Sequence, residues 1–228
     1  MPVLASTILT RIRGQLIDER VTQRWTDAEL LRWMSDAQRT IVAMSPSLGE
    51  VTAALLLTAG TKQTLPDGAF MLLDIKRNMG ADGLTPGRAV RVVTRELMDG
   101  IDPNWHAGAR SSVTQNYIYD PMQPRTFYCW PPSTGTNYLE VSRAQVPAEM
   151  TTGAATLTVP DLYQTAIFDY TMFRAHQKDS DYAAGEGKAQ VYMALFTAIF
   201  GQHEGAKLSE SPNMQLGPTD LGSKGAAK

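Results

Sequence analysis

The hydrophobic period of the chain changes twice, and this constrains the fold more than any other feature of the sequence. Apolar residues recur at helical spacing up to Pro46, short β-rich runs fill the region from about residue 50 to 146, and helical spacing returns after Pro160. Neither an all-helical nor an all-β fold accommodates both periods. The sequence therefore predicts an α+β protein, with a bundle made by N- and C-terminal helices and a central antiparallel β subdomain.

Two helices are expected before the β region. The first has Ser6 or Thr7 available as its N-cap. The second begins with a capping box, in which Thr26 and Glu29 satisfy each other's free backbone donors, and Pro46 stops it.

The β region contains β-rich runs between Gly, Pro, Asn and Asp residues that are typical of turns. One helical turn is expected over residues 95–100, and residues 80–83 and 132–135 are natural turn sequences. Strands are predicted over residues 51–58, 62–65, 71–79, 89–94, 115–119, 126–130 and 138–144.

The C-terminal helices open at Pro160, whose missing N–H costs nothing in a first turn, and end at Gly201 as a C-cap. Joined by a short turn, they must lie antiparallel. We expect the chain to divide into N-terminal helices (1–49), a β subdomain (50–150), a helical hairpin (151–203) and an extended flexible tail (204–228). The apolar positions assigned to bundle packing are Trp33, Met34, Ile41, Tyr163, Ile167, Tyr170, Phe173, Tyr192 and Phe196.

The tail is rich in Gly, Ser and Pro and contains few large apolar residues, which are Leu208, Met214, Leu216 and Leu221. These residues cannot bury enough surface to offset the entropy of ordering the segment alone. The tail is therefore either a flexible terminus or a segment that orders on a partner through these four anchors.

Composition limits the possible partners and compartments. A net charge of −2 and a pI of about 5.9 argue against tight capture of nucleic acid. Apolar runs such as residues 53–57 are far too short to cross a bilayer, and the N-terminus lacks a signal-peptide pattern, so a soluble protein made in a cytoplasm is expected. Cys129 is the sole cysteine and is expected to be a buried thiol, outside any disulfide or cysteine metal cluster.

Signals for catalysis are weak. His106 follows Asp99 and Asp102 in a loop, where a carboxylate could orient it as a general base. The string that begins at His176 is similar to a phosphodiesterase motif but lacks the required aspartate. Residues 185–188 resemble part of a phosphate-binding loop, but they follow an amphipathic helix and not a strand, so a helix start is the simpler interpretation. We therefore expect no catalytic, cofactor-binding or metal-binding residues and no enzymatic activity.

Several local strings, together with the order of elements, resemble the head-to-tail adaptor (connector) proteins of tailed bacteriophages, including relatives of tail tubular protein A in short-tailed phages. The resemblance covers most of residues 1–200. Five strings carry it, and the last of the five is the most specific. They are residues 95–99 (RELMD), 102–106 (DPNWH), 119–121 (YDP), 127–132 (FYCWPP) and 173–183 (FRAHQKDSDYA).

The resemblance implies a virion protein at the head–tail junction, made in the host cytoplasm. It implies a homo-oligomeric ring, expected to be a dodecamer, that binds the portal protein above and the tail tube or nozzle below. Duplex DNA would pass through its channel without specific binding during genome ejection, and no membrane contact or cofactor is implied. The bundle residues would also pack ring neighbours, and the tail anchors would contact the portal.

Three other functions remain open on the sequence. The protein could be another neck or tail-tube component of the same virion. It could be a DNA-binding packaging protein, in which case steeply salt-dependent DNA binding is expected. It could also be a hydrolase that uses His106 or His176.

Overall fold

The computed structural model describes residues 3–18, 23–178 and 183–209, with the backbone alone for residues 183–184 and 204–209. In these ranges the chain forms five α-helices and seven β-strands, which confirms the predicted α+β class. It divides into two compact units, Met1–Gln38 with Glu149–Lys228, and Arg39–Ala148. No helix in the described ranges is both long and apolar enough to cross a membrane.

The helices agree with the sequence pattern at most of their ends. They are α1 Ala5–Leu16, α2 Asp27–Met44, α3 Arg95–Ile101, α4 Gln164–Lys178 and α5 Ala183–Ser209. The capping box of α2 is confirmed: the Glu29 amide donates to Thr26 Oγ1 at 3.3 Å, and the Thr26 amide donates to Glu29 Oε2 at 3.1 Å. Helix α2 ends two residues before Pro46, where the ring prevents its continuation.

The N-cap predicted for α1 is wrong. Leu4 occupies that position, without a side-chain cap. The first amides of α1 are satisfied instead by another segment of the same unit, because Ala5 N donates to the carbonyl of Ala155 and Ser6 N to that of Gly153, both at 2.8 Å. Tertiary acceptors thus replace the local cap that the sequence favours.

Two buried polar side chains of α2 hold the segment that precedes the C-terminal helices. The Thr158 amide donates to Gln38 Oε1 at 2.7 Å, and the Met150 amide donates to Ser35 Oγ at 2.9 Å. Both side chains are fully buried. These bonds connect residues more than a hundred positions apart, which no local pattern predicts.

Helices α4 and α5 lie antiparallel, as predicted for a hairpin. Ring contacts join the start of one to the end of the other, with centroids 5.3 Å apart for Tyr163 and His203, and 5.4 Å apart for Tyr170 and Phe196. The predicted helix end at Gly201 is wrong, because α5 continues to residue 209. A single glycine inside a helix costs only about 1 kcal/mol, and beyond Gly201 the His203 ring packs against Tyr163.

Each predicted strand is present, with ends shifted by a few residues. The strands are β1 Glu50–Leu56, β2 Gly60–Thr64, β3 Ala69–Asn78, β4 Arg91–Val92, β5 Asn116–Tyr119, β6 Thr126–Ser133 and β7 Tyr138–Gln145. One sheet has the order β1-β7-β3 and the other the order β2-β6-β5-β4.

The prediction of a purely antiparallel subdomain is wrong at one pair, because β4 and β5 are parallel, with Arg91 opposite Asn116. Parallel neighbours require a crossover of a dozen residues or more. Residues 93–115, which include α3, supply that crossover. The same connection therefore explains both the mixed sheet and the position of α3.

The core of this unit draws side chains from both sheets. It contains Leu57, Leu65, Ala69, Leu72, Ile75, Val90, Tyr117, Phe127, Cys129, Leu139 and Val141. Cys129 is fully buried, as predicted, and its burial raises the pKa of the thiol to about 12. The thiol is therefore neutral at physiological pH and acts as a small apolar side chain.

The predicted turn at residues 80–83 is present. Gly80 and Gly83 have positive φ angles of 64° and 71°, which glycine adopts without strain. Asp82 Oδ1 accepts hydrogen bonds from the amides of Leu84 and Thr85. These bonds favour the carboxylate and lower the pKa of Asp82 to about 2, so the turn keeps its negative charge at neutral pH.

Candidate interaction surfaces

Four of the strings that carry the resemblance meet around α3. Residues 95–99 lie in α3, residues 102–106 lead through the short turn that follows it, residues 119–121 begin at the end of β5, and residues 127–132 lie in β6. Their centre is Trp105, 1% exposed, in one apolar cluster with Met98 and Ile118. Trp105 Nε1 donates to Asp99 Oδ1 at 2.8 Å, which fixes the indole ring.

Two depressions adjoin this cluster and share Arg95 and Tyr119, and together we call them the α3 groove. One has a volume of about 250 Å³ and the other about 330 Å³. The walls of the first include Arg95, Trp105, His106, Tyr119, Asp120 and Tyr128. The second is lined by Val92, Val93, Thr94, Arg95, Glu96 and Tyr119.

Large apolar side chains are exposed on the segments that form the α3 groove. Val92 is 64% exposed, Leu97 53%, Ile101 67% and Met122 88%. Three of these lie within ten residues along β4 and α3. A group of large exposed apolar residues beside a preformed depression is typical of a protein interaction site.

The geometry around His106 does not match the hypothesis of an oriented general base. Its Nδ1 lies 2.9 Å from Oγ1 of Thr61, and its ring stacks on Trp105 with centroids 3.6 Å apart. Of the two carboxylates that the hypothesis offered as orienting groups, Asp99 accepts from the Trp105 indole and Asp102 from the Asn104 amide. His106 is therefore positioned as part of an aromatic wall.

The side chains of the His176 string also make structural contacts. The His176 ring stacks on Tyr192 with centroids 5.5 Å apart. Lys178 Nζ lies 2.5 Å from Oε1 of Glu29, and this ion pair lowers the pKa of the glutamate. Residues 185–188 lie within the first turns of α5, the helix start that the sequence favoured.

The nine bundle residues predicted from the sequence lie mainly in the interior. Six of them are buried, while Tyr170, Phe173 and Tyr192 are half-buried. The buried six are Trp33, Met34, Ile41, Tyr163, Ile167 and Phe196. Ile41 belongs to the Arg39–Ala148 unit and the other five to the unit that contains the helical termini.

A different pair of side chains forms the outer face of α5. Val191 is 58% exposed and Leu195 44% exposed, and they lie four residues apart on one side of the helix. Both line a groove of about 530 Å³, together with Gln15, His176, Lys188 and Tyr192. The helix thus presents apolar side chains both to the interior and to the surface.

The tail anchors fall at the limit of what the structure describes. Leu208 lies in the last turn of α5, where the backbone alone is described. Met214, Leu216 and Leu221 lie outside the described residues. Their assignment as portal contacts remains a prediction from the sequence.

Among the described residues, no group of three or more His, Cys, Asp or Glu side chains is arranged to hold a metal ion. The expectation that no residue binds a metal or cofactor remains a prediction.

Sequence reasoning did not nominate the walls of the α3 groove as a site. The wall residues belong to separate strings in the sequence: Arg95, Tyr119, Asp120 and Tyr128. Those strings all lie within a short stretch of chain that is rich in aromatic residues. This clustering of aromatic residues is the sequence signal that could have indicated an interaction site. The crossover from β4 to β5, which brings them together, was not predicted.

Comparison with known protein families gives a match that covers most of the chain. The model of the family described as SU10 adaptor protein matches residues 4–216, nearly the whole chain. No curated protein matches the chain.

Proposed function

Because the chain belongs to the SU10 adaptor protein family, and is therefore a bacteriophage adaptor, we propose that it forms a ring that joins the portal to the tail. In this proposal the protein lies at the head–tail junction of the virion, and twelve copies surround a channel for the genome. The bundle lies between ring neighbours, and the central β unit extends towards the tail tube or nozzle.

The outer face of α5 is the observation that supports ring formation. No charged residue occurs from Ala189 to His203, nearly four turns of helix. One side of this stretch buries Ala189, Phe196 and Phe200, while Val191 and Leu195 remain exposed on another. Exposed apolar side chains on a second side of an uncharged helical stretch are typical of an interaction surface, so another surface is expected to cover Val191 and Leu195.

Copies of one chain form a ring when two different patches meet head to tail and the rotation closes. The outer face of α5 would supply one of these patches. We expect the isolated protein to be largely monomeric and to enter rings on a portal template. Binding to the portal would then offset the entropy cost of ordering the tail and the loops.

Electron microscopy of the protein mixed with the portal protein of its own phage tests this proposal. An added ring below the portal is expected, and its absence would contradict the proposal. Val191→Glu combined with Leu195→Glu should prevent ring formation, because each copy would bury two uncompensated carboxylates. The matched control is Leu84→Glu, at a position 80% exposed in the other unit, which should leave the ring intact.

The portal contact is assigned to the tail, through Leu208, Met214, Leu216 and Leu221. The support is compositional: these apolar residues are spaced along a segment that is otherwise polar or small. Segments of this kind bind by ordering on a partner and inserting separate anchors.

Removal of residues 210–228 tests the tail contact without shortening α5, which ends at Ser209. Portal attachment should be lost while the circular dichroism spectrum retains its helical signal. A sharper test replaces both Met214 and Leu216 by serine. Its control is Gln215→Ser, a substitution between the two positions that should leave portal attachment unchanged. Attachment that survives both the deletion and the double substitution would refute this role.

Net charge supports a channel through which DNA passes without being held. A formal net charge of −2 disfavours extensive neutralisation of DNA phosphates and hence extensive counterion release. Binding to duplex DNA should therefore be weak even at low salt. Tight binding with a steep salt dependence would favour the alternative of a DNA-binding packaging protein.

A further inference from the structure

We propose that the α3 groove binds an extended segment of a different virion protein, one that carries apolar side chains and a basic residue. This deepens the proposed function, on which it rests, by assigning a specific site on the central unit to the tail-side partner. The support comes from the rigidity of the groove, its size, its charge and its apolar rim.

The groove is held in shape by bonds within the unit. Thr94 Oγ1 accepts from the Leu97 amide and so caps α3, at 3.4 Å, and Asp120 Oδ1 accepts from the Met122 amide at 2.9 Å. The bond from Trp105 to Asp99 fixes the floor. A site that exists before binding requires little ordering of its own residues, which favours affinity.

The size of the groove suits side chains of a polypeptide. The volume of about 250 Å³ is below the range typical of sites for whole small molecules, about 300 to 1,000 Å³, and the volume of about 330 Å³ is at its lower end. Because Arg95 and Tyr119 belong to both depressions, one ligand can run across this shared wall and place one side chain in each. An extended chain suits two adjoining depressions of this kind, because its alternate side chains point to the same side, about 6 to 7 Å apart.

The charge of the lining predicts a basic partner. Arg95 Nε lies 3.5 Å from Asp99 Oδ2, so the cation in the wall already has a carboxylate beside it. Glu96 and Asp120 lie in the two depressions and leave the groove negative overall. A Lys or Arg of the partner would be attracted, whereas the phosphates of DNA would be repelled.

The apolar rim explains how such a segment would gain affinity. Leu97 and Met122 are both more than half exposed, and contact with apolar side chains of the partner would remove them from water. Aromatic residues and arginine are common at the centres of protein interfaces, and here Tyr119, Tyr128 and Arg95 line the depressions.

Photo-crosslinking in mature particles tests the proposal with the full-length protein. The photoreactive residue p-benzoylphenylalanine replaces Leu97 or Met122 in particles of the phage that encodes the chain. The control position is Leu84, exposed on the same unit but outside the groove lining. Irradiation should join Leu97 and Met122 variants to one other virion protein, identified by mass spectrometry, and Leu84 variants to it much less.

A charge test accompanies the crosslinking. Asp120→Asn removes one negative charge and keeps an acceptor for the Met122 amide, and Glu96→Lys reverses the other negative charge. The two substitutions combined should lower the crosslink yield by up to about fivefold, the upper end for an exposed charge pair. The same variants should retain the fold, since Glu96 and Asp120 are both exposed.

The possible outcomes separate this inference from the proposed function. Crosslinks that join two copies of the chain, crosslinks to DNA, or none above the Leu84 level would overturn the α3 groove as a partner site, although the protein is still present in the particles. Absence of the protein from purified particles would instead contradict the proposed function, and this inference with it.

Discussion

Two adjacent alanines in β1 provide a sharp test of the sheet register. Strand β1 pairs with β7 in an unbroken register from Glu50 opposite Ala144 to Leu56 opposite Tyr138, and the Leu57 amide continues it by donating to Asn137. Antiparallel strands alternate between residues that bond across the pair and residues whose backbone groups point away. Ala53 therefore bonds to β7, while Ala54 points its N–H away from it.

The proline variants of these alanines should differ in stability for this reason. Ala53→Pro removes the donor to the carbonyl of Val141, a fully buried residue. An unsatisfied buried acceptor costs about 1 to 3 kcal/mol, and any clash of the ring with β7 adds to this. Ala54→Pro removes an N–H on the free side of an edge strand, where proline is tolerated, so a cost below about 1 kcal/mol is expected.

Urea unfolding of both variants, together with Ala53→Gly and Ala54→Gly, measures the difference. The glycine pair controls for side-chain and backbone entropy effects, which act similarly at neighbouring strand positions. A lower midpoint with unchanged slope is the expected signature of Ala53→Pro. Equal costs for the two prolines, or a larger cost at Ala54, would show that the register of β1 is wrong by one residue.

Three further predictions concern the unit that contains the helical termini. Phe196→Ala should cost about 3 to 5 kcal/mol in urea unfolding because the ring is 1% exposed, whereas Tyr170→Ala should cost less because Tyr170 is half-buried; equal costs would contradict this packing. Gln38→Met should cost about 1 to 3 kcal/mol by leaving the Thr158 amide without its acceptor, and amide hydrogen exchange at Thr158 should accelerate. Burial raises the pKa of Asp169 to about 6, so its charge opposes folding above that pH and the penalty fades as pH falls towards the unfolded value near 4. Asp169→Asn should accordingly raise the melting temperature at pH 7.5 and have little effect at pH 4, and the reverse order would refute the sign.

The elements of the fold were largely predictable because their signals are local. The capping box of Thr26 and Glu29, the stop at Pro46 and the β-rich runs between turn residues depend on neighbours a few positions away. Physical preferences of this range are readable in one sequence. The failures occur where distant segments decide, as at the start of α1, whose first amide bonds to Ala155.

The α3 groove illustrates the same limit for a candidate site. Its walls come from α3, from the turn after it, and from the strands β5 and β6, and a parallel crossover brings these together. Pairing direction is not encoded in the alternation of a strand as short as β4, two residues long. The individual strings were visible in the sequence, but their meeting point required the topology.

Helix α5 is harder to predict from the sequence. Some of its apolar side chains pack inside the unit, and others in the same stretch lie on the surface. Tyr192 and Phe196 are assigned to the bundle, and Val191 and Leu195 precede them directly, so helical spacing alone does not separate the two pairs. The structure separates the two sets: Phe196 is buried, while Val191 and Leu195 remain exposed. Periodicity cannot distinguish packing within a chain from packing between chains, because both bury the same side-chain types. For the proposed ring, the apolar surface left over after the monomer has folded is therefore the more informative guide to where the next copy would bind.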